Sequence, residues 1–201
     1  MNRRFVTTAI AALAAVALPT LAAAGDRIAP DSAAPESAYT VALTGTLAQI
    51  DGRWPHQTTL PVKIWVDRLS SDAEAEHLGD VARAKGEIAL QNALTEDSVG
   101  RIQIGDRLAV PIAFARRYSD GDGEHLLLIA QRRVAFGEIF RNTRSSDYPY
   151  TVFEIDLDPT GHGGGDVLAA ARIYAHRDGQ VEIRNLDIVP TRLLGVSPLG
   201  S

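Results

Sequence analysis

The 201-residue chain has no cysteine, few aromatic residues (6%) and fewer basic than acidic side chains, 20 against 25. Without cysteine there is no disulfide, no thiolate metal ligand and no thiol nucleophile, so stability must come from a hydrophobic core. A net charge of −5 argues against a surface built to neutralise nucleic-acid phosphates. Beyond residue 24 no apolar run approaches the roughly 20 residues needed to span a bilayer. The five histidines, His56, His77, His125, His162 and His176, show neither H-x-H nor H-E-x-x-H spacing. No serine lies in Gly-x-Ser-x-Gly, and no glycine-rich phosphate loop precedes a helix. The usual signatures of zinc hydrolases, α/β-hydrolases and nucleotide binders are therefore missing, and no cofactor is expected.

What is present begins at the N-terminus. Arg3 and Arg4 precede an uncharged stretch from Phe5 to Leu21, and Ala22-Ala23-Ala24 follows before Gly25 and Asp26. A basic start, a short apolar core and a small-residue site describe a cleavable secretory signal over residues 1–24. Cleavage there would remove Arg3 and Arg4 and leave an acidic chain with no membrane span. Residues 25–38, with two prolines and no apolar period, read as a flexible leader. Residues 39–198 are expected to form a single β-rich domain, periplasmic or secreted.

Period-two hydrophobicity marks strands at 40–47 and 61–69, with Val62, Ile64 and Val66 on one face. Ser71-Asp72-Ala73-Glu74 has the spacing of a capping box, Leu78, Val81 and Ala82 follow at helical spacing, and Lys85-Gly86 reads as a helix end before a second helical segment from Glu87 to Leu94. After Gly100 strands return. Val110, Ile112 and Phe114 alternate, with Pro111 indicating an edge or a bulge. Leu126 to Ala130 is apolar on both faces and is expected to lie under the helices. Tyr150 to Leu157 alternates, Val167 to Ala175 pairs back, Asp178-Gly179 turns, and Val181 and Ile183 begin a last strand with a bulge after Asn185. The fold class is α+β, mainly antiparallel β: a curled sheet forming a partial barrel or sandwich, with one helical hairpin inserted after the second strand.

The richest stretch is Ile155 to Leu168, IDLDPTGHGGGDVL. Asp156, Asp158 and Thr160 fall at positions 1, 3 and 5 of a calcium loop, and Asp166 fits a glycine-rich calcium repeat. Val167 stands where the first template needs a bidentate glutamate, and the second works only in tandem copies. A hairpin turn accounts for the same residues without an ion. Glu154 and Asp156 share a strand face with Asp158 and are the candidates for acid and base in a hydrolase; a solvated face is the plainer account. Arg116-Arg117 and Arg132-Arg133 lie on two arms of one hairpin, where neighbouring acids such as Glu124 point to a salt-bridged exposed end.

Asp147-Tyr148-Pro149-Tyr150-Thr151, Glu154 with Asp158 and the glycine turn, and Pro190-Thr191-Arg192-Leu193-Leu194-Gly195-Val196 give the chain an order of features that resembles a group of signal-bearing bacterial proteins of unknown function. The resemblance implies an exported single domain and no particular activity. The expectation is a non-catalytic binding or envelope-structural domain, its partner an envelope component or a small amphiphilic ligand held between sheet and helices; a secreted hydrolase and a calcium-stabilised module are the alternatives.

Overall fold

A computed structural model describes residues 39–48, 59–119, 123–131, 149–176, 181–185 and 191–200. The expected signal and leader, Arg132-Arg133, Asp178-Gly179 and the segment just after Asn185 lie outside them. Alternation does what it promises in the first two strands. β1 (Val41–Ala48) and β2 (Thr59–Val66) pair antiparallel with Leu43 opposite Ile64. That register puts Leu43, Leu47, Val62, Ile64 and Val66 on one side, all buried.

The chain continues through helix α1 (Asp72–Glu96), β3 (Gly100–Ile104), β4 (Val110–Ser119), β5 (Glu124–Ala130), β6 (Tyr150–Leu157), β7 (Gly163–Ala175), β8 (Val181–Asn185) and β9 (Thr191–Pro198). Neighbouring strands run in the order β6-β5-β4-β3-β2-β1-β9-β7, and β6 also pairs with β7, so eight strands close on themselves. The expected partial barrel or sandwich is thus a closed antiparallel barrel. β9 closes it by pairing with β1 on one edge and β7 on the other. Its inward residues Leu193 and Val196 are three apart rather than two, because Gly195 (φ 59°) adds a residue at a bulge where the β1 register shifts between Thr44 and Thr46. β8 prolongs the sheet from the far half of β7, with Ala171 opposite Asn185.

Eight strands enclose a space about wide enough for their own side chains to fill. Here Leu47, Ile64, Ile102, Ile112, Leu128, Phe153, Ile155 and Leu193 occupy it, each no more than 1% exposed. Such values leave no water-sized gap against these side chains, so the barrel centre is a packed core.

A second core lies outside the barrel wall. α1 starts with the capping box: Ser71 Oγ accepts from Glu74 N (3.2 Å) and Glu74 Oε2 accepts from Ser71 N (2.7 Å). The two helical segments expected on either side of Lys85-Gly86 are present; they run on as one element broken by a kink at Gly86 (φ 77°, ψ −169°) rather than as two helices parted by a loop. Ala75, Leu90 and Leu94 pack on Phe114, Ile129, Tyr150, Val152, Ala171 and Ile173. Each fully buried leucine stabilises by about 1.5–3 kcal/mol, so the half of α1 after the bend is the better anchored.

Two strands serve both cores. β5 sends Leu126 and Leu128 inward and Ile129 towards α1, which explains its apolar faces. In β4 the register shifts between Ile112 and Phe114, so Ile112 and Ala115 enter the barrel while Phe114 faces the helix. Val110, Ile112 and Phe114 therefore do not share one face, and the irregularity announced by Pro111 is a bulge.

Candidate functional site

Most of the carboxylates singled out in the sequence come together on the outer face of β6 and β7. Glu154 stands opposite Asp166, which in turn stands opposite Arg192 on β9 and accepts from its Nη1 at 2.7 Å. Asp156 lies opposite His125 on β5, and the ring Nδ1–H donates to its Oδ1 at 2.7 Å. Tyr118 stacks on the same imidazole with ring centres 4.9 Å apart. Glu154 is half-buried, and burial, followed by the nearby charges of Asp166 and Asp156, raises its pKa. Asp156 is exposed. His125 is the partner that sequence reasoning did not connect to Asp156; only the β5–β6 register joins them.

Asp158 and Thr160 belong to the turn rather than to this patch. Asp158 Oδ1 accepts from Thr160 N (2.8 Å), Thr160 Oγ1 (2.6 Å) and His162 N (3.1 Å). Because the threonine proton goes to Asp158, the 3.0 Å contact between Thr160 Oγ1 and His162 Nδ1 requires the ring to donate. These bonds hold the Asp158 pKa down, that from the Thr160 hydroxyl first and that from the His162 amide second. Gly161, with φ 79°, supplies the one left-handed residue of the turn. The turn so closes on its own hydrogen bonds, and among the described residues no group of three or more His, Asp or Glu side chains is placed to hold a metal ion.

The glycines that follow are strand, not turn. β7 begins at Gly163, four residues before the expected start at Val167. Gly163 and Gly165 face the barrel interior opposite Leu157 and Ile155, and a Cβ on either would lie within 2 Å of a β6 carbonyl oxygen. Their role is close approach of two backbones at the barrel seam. Of the basic pair on β4, Arg116 bonds Asp72 at 2.6 Å and Arg117 lies 3.7 Å from Glu124, the salt-bridged arrangement expected for an exposed end.

A different site lies under α1. Tyr150 is on the outer face of β6, 1% exposed, packed among the apolar side chains of the second core. Among the described residues its hydroxyl has no hydrogen-bond partner, and neither does Oε1 of Glu87, the first residue after the helix bend. Glu87 Oε2 pairs with Arg172 on β7. The Arg172 guanidinium also lies 4.9 Å from the centre of the Tyr174 ring, with Arg184 against the same ring at 4.6 Å. Arg184 in turn holds Glu182, bringing its pKa down to about 2. Desolvation, with the charge of Glu87 second, raises the Tyr150 pKa, so the phenol stays protonated and remains a donor. The sequence does carry a sign of this place. The outer face of β6 runs Tyr150, Val152, then Glu154, Asp156, and the change from apolar to acidic marks where the helix cover ends.

Comparison with family models, with curated proteins and with solved structures gives no match.

Proposed function

We propose that this protein is an exported, non-catalytic binding domain that holds a small amphiphile between helix α1 and the outer wall of the barrel. The observation that carries this reading is the Tyr150 hydroxyl, fully buried, unpartnered and set in an apolar layer. Leaving a buried hydroxyl unsatisfied costs about 1–3 kcal/mol, a burden that a ligand with a polar end would relieve. Binding sites of this kind pair an apolar lining with a few polar groups. Export is supported by the basic start, apolar stretch and alanine run of residues 1–24. Native mass spectrometry of protein purified from its own host tests the reading. The expected result is a bound apolar molecule of a few hundred daltons, and a clean mass for the chain alone would argue against it.

A second reading, a hydrolase, is favoured by the unequal carboxylates: Glu154 with its pKa raised, beside Asp156 bonded to His125. Unlike environments of this sort separate an acid from a base. Glu154→Gln should then abolish turnover in a screen of ester and glycoside substrates, and no turnover by the unaltered protein would remove the reading.

A further inference from the structure

Glu87 Oε1 and the Tyr150 hydroxyl, buried under α1 with no hydrogen-bond partner among the described residues, differ in what they accept and give. Glu87 Oε1 is an acceptor only, and the Tyr150 hydroxyl is a donor with an acceptor lone pair. One atom that donates once and accepts once satisfies both, and a hydroxyl oxygen is that atom. Charge narrows the choice in the same direction. Glu87 is already paired, through Oε2, with the Arg172 guanidinium, so the pair is close to neutral. A carboxylate head would bring a second anion against Glu87 with its nearest cation engaged. An ammonium head would leave one net positive charge in a layer made of Leu90, Leu94, Phe114, Ile129, Val152 and Ile173.

Resting on the binding role proposed above, we infer that the ligand is a neutral amphiphile whose head is a hydroxyl, donating to Glu87 Oε1 and accepting from Tyr150. Glu87 stands directly after the Gly86 break in the helix. Nothing lies within 4 Å of a Cβ added at Gly86, and its backbone is already out of the helical path. The capped first half and the segment from Glu87 onward are thus separate helical stretches, joined at Gly86.

Three probes of equal chain length, 1-nonanol, nonanoate and nonylamine, test the assignment by NMR titration of the leucine and isoleucine methyl groups in the full chain. Nonanol is expected to bind most tightly, shifting Leu90, Leu94 and Ile129. Tyr150→Phe and Glu87→Gln should each weaken nonanol by about three- to tenfold, the value of one hydrogen bond. In the ligand-free chain Tyr150→Phe should raise the melting temperature, because it deletes a buried hydroxyl that nothing satisfies. A fall would mean that the hydroxyl is already bonded, by water or protein, and would overturn the inference. Tighter binding of nonanoate or nonylamine at the same methyls would overturn the head-group assignment and leave the amphiphile reading standing. If none of the three binds, both fall.

Discussion

Glu154 and Asp166 stand directly opposite one another on β6 and β7, two carboxylates on the outer face of the barrel, and the cation in the row, Arg192, bonds Asp166. Glu154 is left with the cost of its charge: its pKa is raised in the folded state by burial, by Asp166 and by Asp156. For a group whose folded pKa exceeds its unfolded one, the stability contribution is complete below the unfolded pKa and is lost as pH rises through the folded value. At neutral pH Glu154→Gln should therefore stabilise, by about 0.2–1 kcal/mol for relief of a cross-strand like-charge pair. The gain should shrink as pH falls through the raised Glu154 pKa and be gone below the ordinary carboxylate value near 4.5. Thermal melts of both chains from pH 4 to 8 check it.

The capping box has the opposite sign. Glu74 is held down to about 2, first by the hydrogen bond from Arg68, then by the Ser71 amide. Its contribution is present above the ordinary carboxylate pKa near 4.5 and is lost as pH falls towards 2. Ser71→Ala should cost about 1 kcal/mol at pH 7. Glu74→Gln should cost less, since the pair with Arg68 is exposed and screened by salt, and its effect should vanish near pH 2. Helix content by circular dichroism through urea unfolding reads both.

Two glycines should respond to alanine for different reasons. At Gly165 a Cβ would sit 1.9 Å from the Glu154 carbonyl oxygen, so the β6–β7 seam must open. Gly165→Ala should cost more than about 3 kcal/mol or prevent folding. At Gly195 nothing lies within 4 Å and only the left-handed backbone objects. Gly195→Ala should cost about 1 kcal/mol and Gly195→Asn less, because asparagine tolerates that conformation. Soluble yield and urea midpoints separate the cases.

Thr151 is fully buried on the inner side of β6, and its hydroxyl donates to the Ala169 carbonyl at 3.1 Å, beside the register shift in β7. Thr151→Val keeps the shape and deletes the donor, so it should cost about 1–3 kcal/mol. Chemical denaturation measures the loss.

What the sequence revealed follows from which interactions are local. Alternation at Val62, Ile64 and Val66, the Ser71–Glu74 cap and the Asp158 turn are set by residues within a few positions of one another, and all three read true. The misreadings share a different cause. Phe114 changes sides at a bulge, β9 lies beyond the strand expected to be the last because the Gly195 bulge breaks the alternation that would have marked it, and Gly163 to Gly165 are strand because a neighbouring backbone passes too near for a side chain. A bulge shifts the apparent period, and a close approach depends on residues distant in sequence. Asp156 was a candidate on its own, whereas its partner His125 and the Tyr150–Glu87 seam needed strand register and helix docking to be seen.

The pairing of β1 with β9 joins Leu43 to Pro198, close to the two limits of the described residues. A ring whose first and last staves are neighbours cannot be hooped until the final one has been delivered. Until then β1 and β7 each carry a bare edge, and closing so long a loop is slow. The barrel therefore stays open until residues 191–198 reach both β1 and β7.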